Sequence, residues 1–367
     1  MKVFPPLVIS SFCICISGCG GSGASAPVSY NYSEGTPSSE ASASNALVGP
    51  SSNVTLPYTA PNGISYSSLA SAHSTLNGAG SDYVATVDTN ARTAWQQGWT
   101  GKNVKIGIAD RFNSNGQIDV HGDWVAVVAS SVAPEADLAF QDILSSSTLI
   151  GLIGNANTAY NYFENNGYHI INNSWGIERP LRASNGRYTG ELYSDFDALV
   201  QATINSFDPN APSDAVGLYI MAGGNGGQYC PTRRLENCNW VAATTNSIRE
   251  NGYAGGSRLI FVGSLDDSSN SLADYSYIAG DLKDDFIVAH DDVLSPSDAA
   301  GTSFSSPRVA GAAALVKHKF PNLSSAQVKQ VLLQTAEDLG VVGVDETFGH
   351  GKLDIANALS PQGKLVP

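Results

Sequence analysis

One serine lies in a setting that could turn its hydroxyl into a nucleophile. Ser303 falls within GTSFSSPRVAGAAALV, residues 301–316, where the small apolar run after Pro307 predicts a helix packed deep in the protein. A serine at the amino end of a helix lies in a positive electrostatic field, and its backbone N–H points to where an oxyanion could form. Taken alone, the same serine could be no more than a helix cap. A nucleophilic role needs a base beside it and a carboxylate that orients the base.

A histidine and an aspartate that could complete such a proton relay lie close together in the chain. His121, one of six histidines, follows shortly after NVKIGIAD, a run that predicts a buried strand ending at Asp110. The ten residues between them, RFNSNGQIDV, can span about 30 Å when extended, so the two side chains can meet. Separately, Asp110 could be a turn former and His121 a surface residue, and Asp119 or Asp123 could also partner the histidine. We expect Asp110 to orient His121.

An asparagine after another apolar run could stabilise negative charge. Asn225 follows VGLYIMAGG, which predicts a buried strand ending in two glycines. Its amide could donate to a carbonyl oxygen as that oxygen becomes an oxyanion, and loss of one such donor lowers kcat by about 100- to 1000-fold in enzymes that use it. The alternative is that GGNGG is simply a loop. We treat Asn225 as a catalytic candidate together with the three residues above.

Strands and helices alternate along the middle of the chain. Apolar runs predict further strands at residues 137–143 and 168–175 and helices at 82–101, 147–167 and 191–207, while WVAVVASSV at 124–132 fits either a strand or a short helix. This alternation predicts an α/β fold, a three-layer α/β/α sandwich around a mainly parallel sheet. Sites in such folds gather at the carboxyl ends of the strands, where Asp110 and Asn225 would then lie.

The composition of the chain excludes some functions. Of its 367 residues, 42% are hydrophobic and 14% charged, which suits one large α/β domain and is too polar for an integral membrane protein. A formal net charge of -14 and the lack of a basic cluster argue against nucleic acid as a partner. The densest charged run, DLKDDFIVAHDD at residues 281–292, is acidic, and we interpret it as a solvated loop edge rather than a metal site.

The amino terminus has the pattern of an export signal. Lys2 precedes a short apolar stretch, and ISGC at residues 16–19 resembles a bacterial lipobox, in which the leader is removed and Cys19 carries the lipid. The alternative is an ordinary signal peptide that contains cysteines. Glycines follow Cys19 in place of the Asp that commonly retains such lipoproteins in the inner membrane, so the resemblance implies the outer membrane. We expect a leader at residues 1–18 and, at 19–81, the lipidated cysteine with a flexible tether rich in Ser, Gly and Ala.

The remaining cysteines then form one pair. Cys13 and Cys15 are removed with the leader, so Cys230 and Cys238 are the cysteines that remain in addition to the lipidated Cys19. Two cysteines close in sequence in an oxidising compartment predict a disulfide, and two free buried thiols are the alternative.

Together these motifs resemble the subtilisin-like serine proteases, the subtilases. The family's signatures occur in its chain order: IGIAD ending at Asp110, HG at His121 followed by VAPEA, and GTSFSSPRVAG around Ser303. The likeness extends over roughly residues 84–363 and is nearest to the subtilase passenger domains of bacterial autotransporters, through YCPTRRLENCNWVAAT, AGDLKDDFIVA and FGHGKLDIANALSPQG. It implies a peptidase domain at residues 82–363, followed by a short tail at 364–367.

The resemblance also implies roles for individual residues. Ser303 would be the nucleophile, His121 the base and Asp110 its orienting carboxylate, and Asn225 would stabilise the oxyanion. INNSWG, residues 171–176, and AGG, residues 222–224, are similar to the segments that line the family's substrate cleft. The implied substrate-binding residues are Ser174, Trp175, Gly176, Ala222, Gly223 and Gly224.

Two of the motifs depart from the family pattern. Subtilases usually follow the aspartate with Thr or Ser and then Gly, whereas Arg111 and Phe112 stand here, and only ten residues separate the aspartate from the histidine. The usual second histidine and glycine of the histidine motif are replaced in HGDW, residues 121–124. These departures bear on whether peptidase activity is retained.

We therefore expect an exported, lipid-anchored serine endopeptidase of the cell envelope, with a polypeptide substrate as its partner. The sequence does not predict an oligomeric state. The mechanism that the resemblance implies requires no cofactor and no metal; structural calcium is frequent in the family, but we place no ligands for it here. The altered motifs leave two alternatives. One is a catalytically silent subtilase fold that binds peptides or partners at the surface, and the other is a tethered adhesin.

Overall fold

The computed structural model of the protein describes residues 89–112, 121–146, 149–177, 180–182, 188–192, 217–250, 258–266, 269–291 and 300–361. The strands in these ranges are β1 (Lys105–Asp110), β2 (Asp137–Asp142), β3 (Ile170–Asn173), β4 (Pro180–Arg182), β5 (Tyr188–Leu192), β6 (Leu218–Ala222), β7 (Leu259–Leu265) and β8 (Phe286–His290). The α-helices are α1 (Thr89–Gln96), α2 (His121–Val132), α3 (Leu149–Asn165), α4 (Leu235–Cys238), α5 (Trp240–Glu250), α6 (Thr302–Lys319), α7 (Ser325–Gln334) and α8 (Ile355–Ala358). Short 3₁₀ helices lie at Gly227–Tyr229 and Gly280–Asp285.

Six strands form one parallel sheet in the order β2-β1-β3-β6-β7-β8, and β4 and β5 form a separate antiparallel pair. The chain runs outward from β1 to β2 and then returns past β1 to β3, so the strand order reverses between β1 and β3. Parallel α/β sheets bind ligands in the crevice at such a reversal, outside the carboxyl ends of the strands. Asp110 ends β1 and Asn173 ends β3, so the two residues flank this crevice.

Helices cover both faces of the sheet because the central strands are apolar on both sides. Ile106 and Ile108 of β1 belong to the core on the face that α1, α2 and α6 cover, whereas Ala109 belongs to the core on the opposite face, with α3. Gly107 also faces α3, where an added Cβ would come within 2.5 Å of the Phe163 ring. The prediction of a three-layer α/β/α sandwich around a mainly parallel sheet is confirmed.

α6 runs through the core, as its small residues predict. Ala312, Ala313 and Ala314 are fully buried. Gly311 lies against α2, where an added Cβ would come within 2.6 Å of Val132 Cβ and 3.0 Å of the Ala129 carbonyl oxygen. Close packing of this kind fixes α6 relative to α2, and these are the helices that begin at Thr302 and His121.

The structure resolves the ambiguous prediction at residues 124–132 and corrects the prediction at 191–207. The run WVAVVASSV, which fitted a strand or a helix, is helical and belongs to α2. The helix predicted at 191–207 is wrong at its start, because Glu191 and Leu192 end strand β5, whose pairing with β4 overrides the local helical pattern. Residues 193–207 lie outside the described residues.

The interpretation of residues 281–292 as a solvated loop edge is wrong over much of its length. Its middle, Phe286–His290, is strand β8, which is buried at its first four residues. Asp285 is buried in an ion pair with Lys329. Asp291 is buried as well and accepts hydrogen bonds from the Tyr275 hydroxyl and the Gly301 N–H. Charge density along the sequence misled the prediction, because each of these carboxylates has a partner from a distant part of the chain.

Several predictions at the ends of the chain lie outside the described residues. These are the leader, Cys19, the tether, and the parts of the predicted peptidase domain and tail at residues 82–88 and 362–367. α1 occupies the described part of the helix predicted at 82–101. Within the described ranges, no helix is both long and apolar enough to cross a membrane.

Candidate active site

Three parallel strands and two helices bring polar residues to one edge of the sheet. β1, β3 and β6 are neighbours and end at Asp110, Asn173 and Ala222, so the residues that follow each strand meet at the carboxyl edge. α2 begins there at His121, and α6, which contacts β1, β3 and β6, begins there at Thr302. The candidate residues predicted from the sequence therefore lie in five segments that meet at this edge.

Asp110 and His121 form a close pair. His121 Nδ1 lies 2.7 Å from Asp110 Oδ1. The carboxylate is fully buried, while 36% of the imidazole side chain is exposed. An ionised carboxylate only accepts hydrogen bonds, so Nδ1 carries the proton and Nε2 is left as the basic nitrogen. Asp110, rather than Asp123, is thus the carboxylate that His121 contacts, and Asp119 lies outside the described residues.

The residues that depart from the family pattern are packed around this pair. Arg111 donates its N–H to Asp110 Oδ1 at 2.6 Å, and its carbonyl accepts from the Gly122 N–H at 3.0 Å. Phe112 is buried beside Phe140, with ring centroids 5.1 Å apart. A Cβ on Gly122 would come within 2.5 Å of the Arg111 oxygen, so the HG sequence supplies the glycine that lets α2 approach β1.

The pKa of His121 is set by two opposing influences. Burial lowers the pKa of the imidazole, but the hydrogen bond to Asp110 and the negative charge of Asp110 raise it by more. The net pKa therefore lies above the ordinary histidine value. An imidazole held in this way by a carboxylate is a stronger base than a free one, which suits proton abstraction from a hydroxyl.

Ser303 is half-buried in the first turn of α6, directly before a residue that contacts His121. The ring of Phe304, the next residue, lies 5.5 Å from the His121 ring, centroid to centroid. The Ser303 hydroxyl donates to the carbonyl oxygen of Ser174 at 2.9 Å, and not to His121. The structure thus brings serine and histidine to the same corner, with the hydroxyl turned toward β3.

A buried polar network fixes the backbone of Ser303. Pro307 has no N–H to donate to the Ser303 carbonyl four residues earlier, so that oxygen lacks its helical partner. Ser174 Oγ donates to it instead, at 2.7 Å. Ser174 Oγ in turn accepts from Asn172 Nδ2 at 3.0 Å, and Ser306 Oγ donates to Asn172 Oδ1 at 3.1 Å. The network joins the start of α6 to the end of β3.

Hydrogen bonds orient the amide of Asn225. Its Oδ1 accepts from both the N–H and the hydroxyl of Thr302, at 2.9 and 3.0 Å. Nδ2 is therefore the donor end, and it lies near Gly301, where an added Cβ would come within 2.9 Å of it. Gly224 has a φ of 108°, which a side chain would disfavour, and this turn carries the chain from β6 to Asn225. The amide donor and the first N–H groups of α6 thus lie together.

Sequence reasoning missed two residues that support this arrangement. Thr302 holds Asn225 and also accepts the Gly224 N–H through Oγ1 at 2.9 Å. Asp291 accepts from the Gly301 N–H and so fixes the chain just before α6. Thr302 could have been found from its position beside Ser303 in the GTS motif. Asp291 gave no such signal, because it stood in a run that we interpreted as solvated.

The two predicted substrate-binding segments lie at the ends of β3 and β6. Ser174 is buried, and the Trp175 indole is turned inward, donating to Asn173 Oδ1 at 3.3 Å, whereas Gly176 is exposed. In the other segment, Ala222 is buried and the Gly223 N–H donates to the Val262 oxygen at 2.8 Å. Because the side chains of both segments are small or turned inward, it is their main chain that could face a ligand.

A disulfide bond joins Cys230 and Cys238, as the sequence predicts. It lies in the segment that leads from Asn225 to α5. The described residues include no group of three or more His, Cys, Asp or Glu side chains placed to hold a metal ion. A calcium site stays a hypothesis for which this structure offers no ligand set among those residues.

Comparison with known proteins gives several relatives, most of which align with only part of their own length. Over 66 residues, 18% of this chain and 6% of the relative, the chain is 48% identical to the Neisserial autotransporter lipoprotein NalP of Neisseria meningitidis. An extracellular serine protease of Serratia marcescens is 24% identical over 356 aligned residues, 74% of this chain and 33% of that protein. Subtilisin DY of Bacillus licheniformis is 28% identical over 295, with 70% and 90% covered. The chain thus spans a third or less of the first two relatives.

Solved structures share the fold. A lanthipeptide protease superposes with a TM-score of 0.52 at 20% identity, covering 75% of this chain and 92% of that one. MycP1 of Mycobacterium smegmatis superposes with a TM-score of 0.52 at 19% identity, covering 76% and 85%. The model of the subtilase family matches residues 101–289 and 295–351, which include every segment of the site described above. The chain belongs to the subtilase family.

Proposed function

We propose that the protein is a serine endopeptidase in which Ser303 attacks the scissile carbonyl of a polypeptide. His121 Nε2 takes the hydroxyl proton, and Asp110 holds the imidazole in the tautomer that leaves this nitrogen basic. Asn225 Nδ2 and the Ser303 N–H donate to the oxygen that becomes negative in the tetrahedral intermediate. The proton then passes from His121 to the leaving amine, and water hydrolyses the ester on Ser303 by the same steps in reverse.

The observation that carries the proposal is the buried Asp110 carboxylate bound to His121 at 2.7 Å, at the edge of the sheet where the first turn of α6 carries Ser303. A fully buried carboxylate paired with a partly exposed imidazole suits a proton relay open to substrate on one side. The Ser303 hydroxyl must leave the Ser174 carbonyl to reach His121. Rotation about the Cα–Cβ bond of Ser303 supplies this movement, since the network around Ser174 fixes the backbone of Ser303 and not its hydroxyl.

The substrate is an extended peptide bound through its main chain. The carbonyl of Ser174 and the exposed backbone at Gly176 offer hydrogen-bonding groups directly after β3. A peptide that pairs with this segment as an added strand gains affinity from its backbone, whatever its side chains. An extracellular serine protease among the relatives agrees with a polypeptide substrate.

We also propose that lipid on Cys19 anchors the domain in the bacterial cell envelope, at the outer membrane. The lipobox-like ISGC at residues 16–19 supports this, as does the description of one partial relative as an autotransporter lipoprotein. Cells expressing the full chain should incorporate labelled palmitate into it, and Cys19→Ser should abolish the incorporation. Equal incorporation in both proteins would refute the anchor.

The test of the peptidase is a digest of unfolded casein by the wild-type protein and by Ser303→Ala. Loss of a serine nucleophile lowers kcat by roughly 10⁶-fold, so the variant should release no detectable peptides. Both proteins should melt at similar temperatures, because the hydroxyl makes a single hydrogen bond among the described contacts. Equal cleavage by the two folded proteins would refute the role of Ser303.

A peptide-binding module without activity is the second candidate. Two observations favour it: Ser303 donates to Ser174 and not to His121, and Arg111 and Phe112 replace the family's usual residues after the aspartate. A folded wild-type protein that binds peptides but cleaves none would establish this candidate in place of the peptidase.

A further inference from the structure

Asn239 is a buried asparagine that uses both ends of its amide. It follows Cys238 of the disulfide and directly precedes α5. Only 2% of it is exposed. Its Oδ1 accepts from the Ala242 N–H at 3.0 Å, which is the bond of a helix N-cap. Its Nδ2 donates to the Gly223 carbonyl oxygen at 3.1 Å, so the residue that caps α5 also holds a predicted substrate-binding segment.

The junction between Asn239 and Trp240 contacts the other predicted substrate-binding segment as well. The Trp240 N–H donates at 2.9 Å to the carbonyl oxygen of Ile177, the residue directly after that segment. An added Cβ on Gly176 would lie 3.4 Å from Asn239 Nδ2, which is ordinary van der Waals contact. Two consecutive residues therefore contact both the segment after β3 and the segment after β6.

The hydrogen bond from Asn239 is one of three that hold the backbone of the two residues before Asn225. The Gly223 N–H donates to Val262, the Gly224 N–H to Thr302, and the Gly223 carbonyl accepts from Asn239. Without the last of these, the peptide group between Gly223 and Gly224 is free to tilt on its carbonyl side. Gly224 has a positive φ and no side chain to resist that movement, which would displace Asn225.

We propose that Asn239 is a positioning residue of the peptidase: its amide fixes the Gly223 peptide group, and through it the oxyanion donor Asn225. The inference rests on the proposed function. Oxyanion donors act in the transition state, so their displacement lowers kcat more than it changes KM. Misplacement of a reacting group by about 1 Å costs about 100-fold, so a fall in kcat of about 10- to 100-fold is expected when the bond is lost.

Asn239→Ser separates the two uses of the side chain. Serine is a good N-cap, so its hydroxyl can accept the Ala242 N–H, but it is too short to reach the Gly223 oxygen. Thr245→Val is the matched control. Thr245 is as deeply buried in α5, and its hydroxyl donates only within the helix, to the Val241 oxygen at 2.8 Å. The control removes one buried hydrogen bond without touching either substrate-binding segment.

Asn239→Asp adds a signature in pH. A protonated carboxyl group can donate to the Gly223 oxygen, whereas an ionised one repels it. The ratio of kcat for this variant to kcat for the wild type should rise as the pH falls from 8 to 6. The same ratio for Asn239→Ser should stay flat, because serine does not titrate in this range.

The closing experiment measures peptidase kinetics and amide hydrogen exchange on the same proteins. We expect Asn239→Ser to lose kcat about 10- to 100-fold with little change in KM, and to exchange faster at residues 221–227, while Thr245→Val matches the wild type in both. An active wild type with Asn239→Ser no worse than Thr245→Val in kcat and exchange would overturn the inference alone. A wild type that cleaves nothing would overturn the proposed function, and the exchange data would still show whether Asn239 fixes the segment.

Discussion

At the scale of single residues, hydrogen bonds from buried groups fix the reactive atoms of the site. Asp110 Oδ1 accepts from both His121 and the Arg111 N–H, and Thr302 orients Asn225. Within the described residues, no group donates to Asp110 Oδ2, although this oxygen is buried. A buried polar atom without a partner costs about 1 to 3 kcal/mol of folding free energy. Asp110 therefore orients His121 at a cost to the stability of the fold.

The activity of the peptidase should depend on pH through His121. Catalysis needs His121 neutral, so kcat/KM should rise with pH, with a midpoint above the ordinary histidine pKa because Asp110 raises the pKa of His121. Asp110→Asn removes the negative charge and leaves at most a neutral hydrogen bond, while burial still lowers the pKa of His121. The midpoint should therefore move to lower pH, while kcat falls by about 10⁴-fold. The pH profiles of kcat and of kcat/KM measure both effects, and an unmoved midpoint would contradict the pairing.

Residue types and spacing predicted the candidates Asp110, His121, Asn225 and Ser303, but they could not predict what each side chain contacts. The partner of the Ser303 hydroxyl is a carbonyl 129 positions away in the chain. Asn239 is the first residue of NWVAAT and is recognisable there as a helix cap, yet its second bond, to Gly223, depends on how β6 and α5 pack. Contacts of this kind follow from the tertiary fold, and no local pattern encodes them.

At the scale of elements, the site depends on where α2 and α6 begin, and α6 is fixed by close packing against α2. Gly311→Ala tests this packing. Alanine improves helix propensity by about 1 kcal/mol, but its Cβ would lie 2.6 Å from Val132 Cβ, and overpacking of a core costs about 1 to 3 kcal/mol. We expect a net loss of stability in urea unfolding.

Gly154→Ala in α3 is the matched control for that variant. It is also a helical glycine, but an added Cβ there meets no atom within 4 Å. It should gain about 0.5 to 1 kcal/mol from helix propensity alone. If both variants changed the free energy of unfolding in the same direction, the contact between α6 and α2 would not be what fixes α6.

Elements were predictable where their pattern is unambiguous. Apolar runs that end in polar or glycine residues predicted β1, β3 and β6, and the small residues after Ser303 predicted α6. WVAVVASSV could not be assigned, because a run without polar residues at a regular interval has neither a helical nor a strand period. The acidic run was misread because pairing with Lys329 and Tyr275 decides its burial, and these partners are distant in the chain.

At the scale of the whole molecule, segments spread over nearly 200 residues meet only in the folded sheet, so the site depends on global stability. The disulfide between Cys230 and Cys238 contributes to that stability. Closing so short a loop should stabilise the protein by about 2 to 3 kcal/mol in the chain-entropy model. Cys230→Ser combined with Cys238→Ser should lower the free energy of unfolding by this amount in guanidinium. An unchanged unfolding midpoint would contradict the contribution.

The most direct test of the central claim is labelling by a fluorophosphonate probe, which reacts with a serine hydroxyl only when a base activates it. The folded wild-type protein should carry one label, located at Ser303 by mass spectrometry of its peptides, and His121→Ala should carry none, because the hydroxyl then has no base. Folded wild-type protein that stays unlabelled, or that is labelled equally well without His121, would contradict the proton relay on which the account depends.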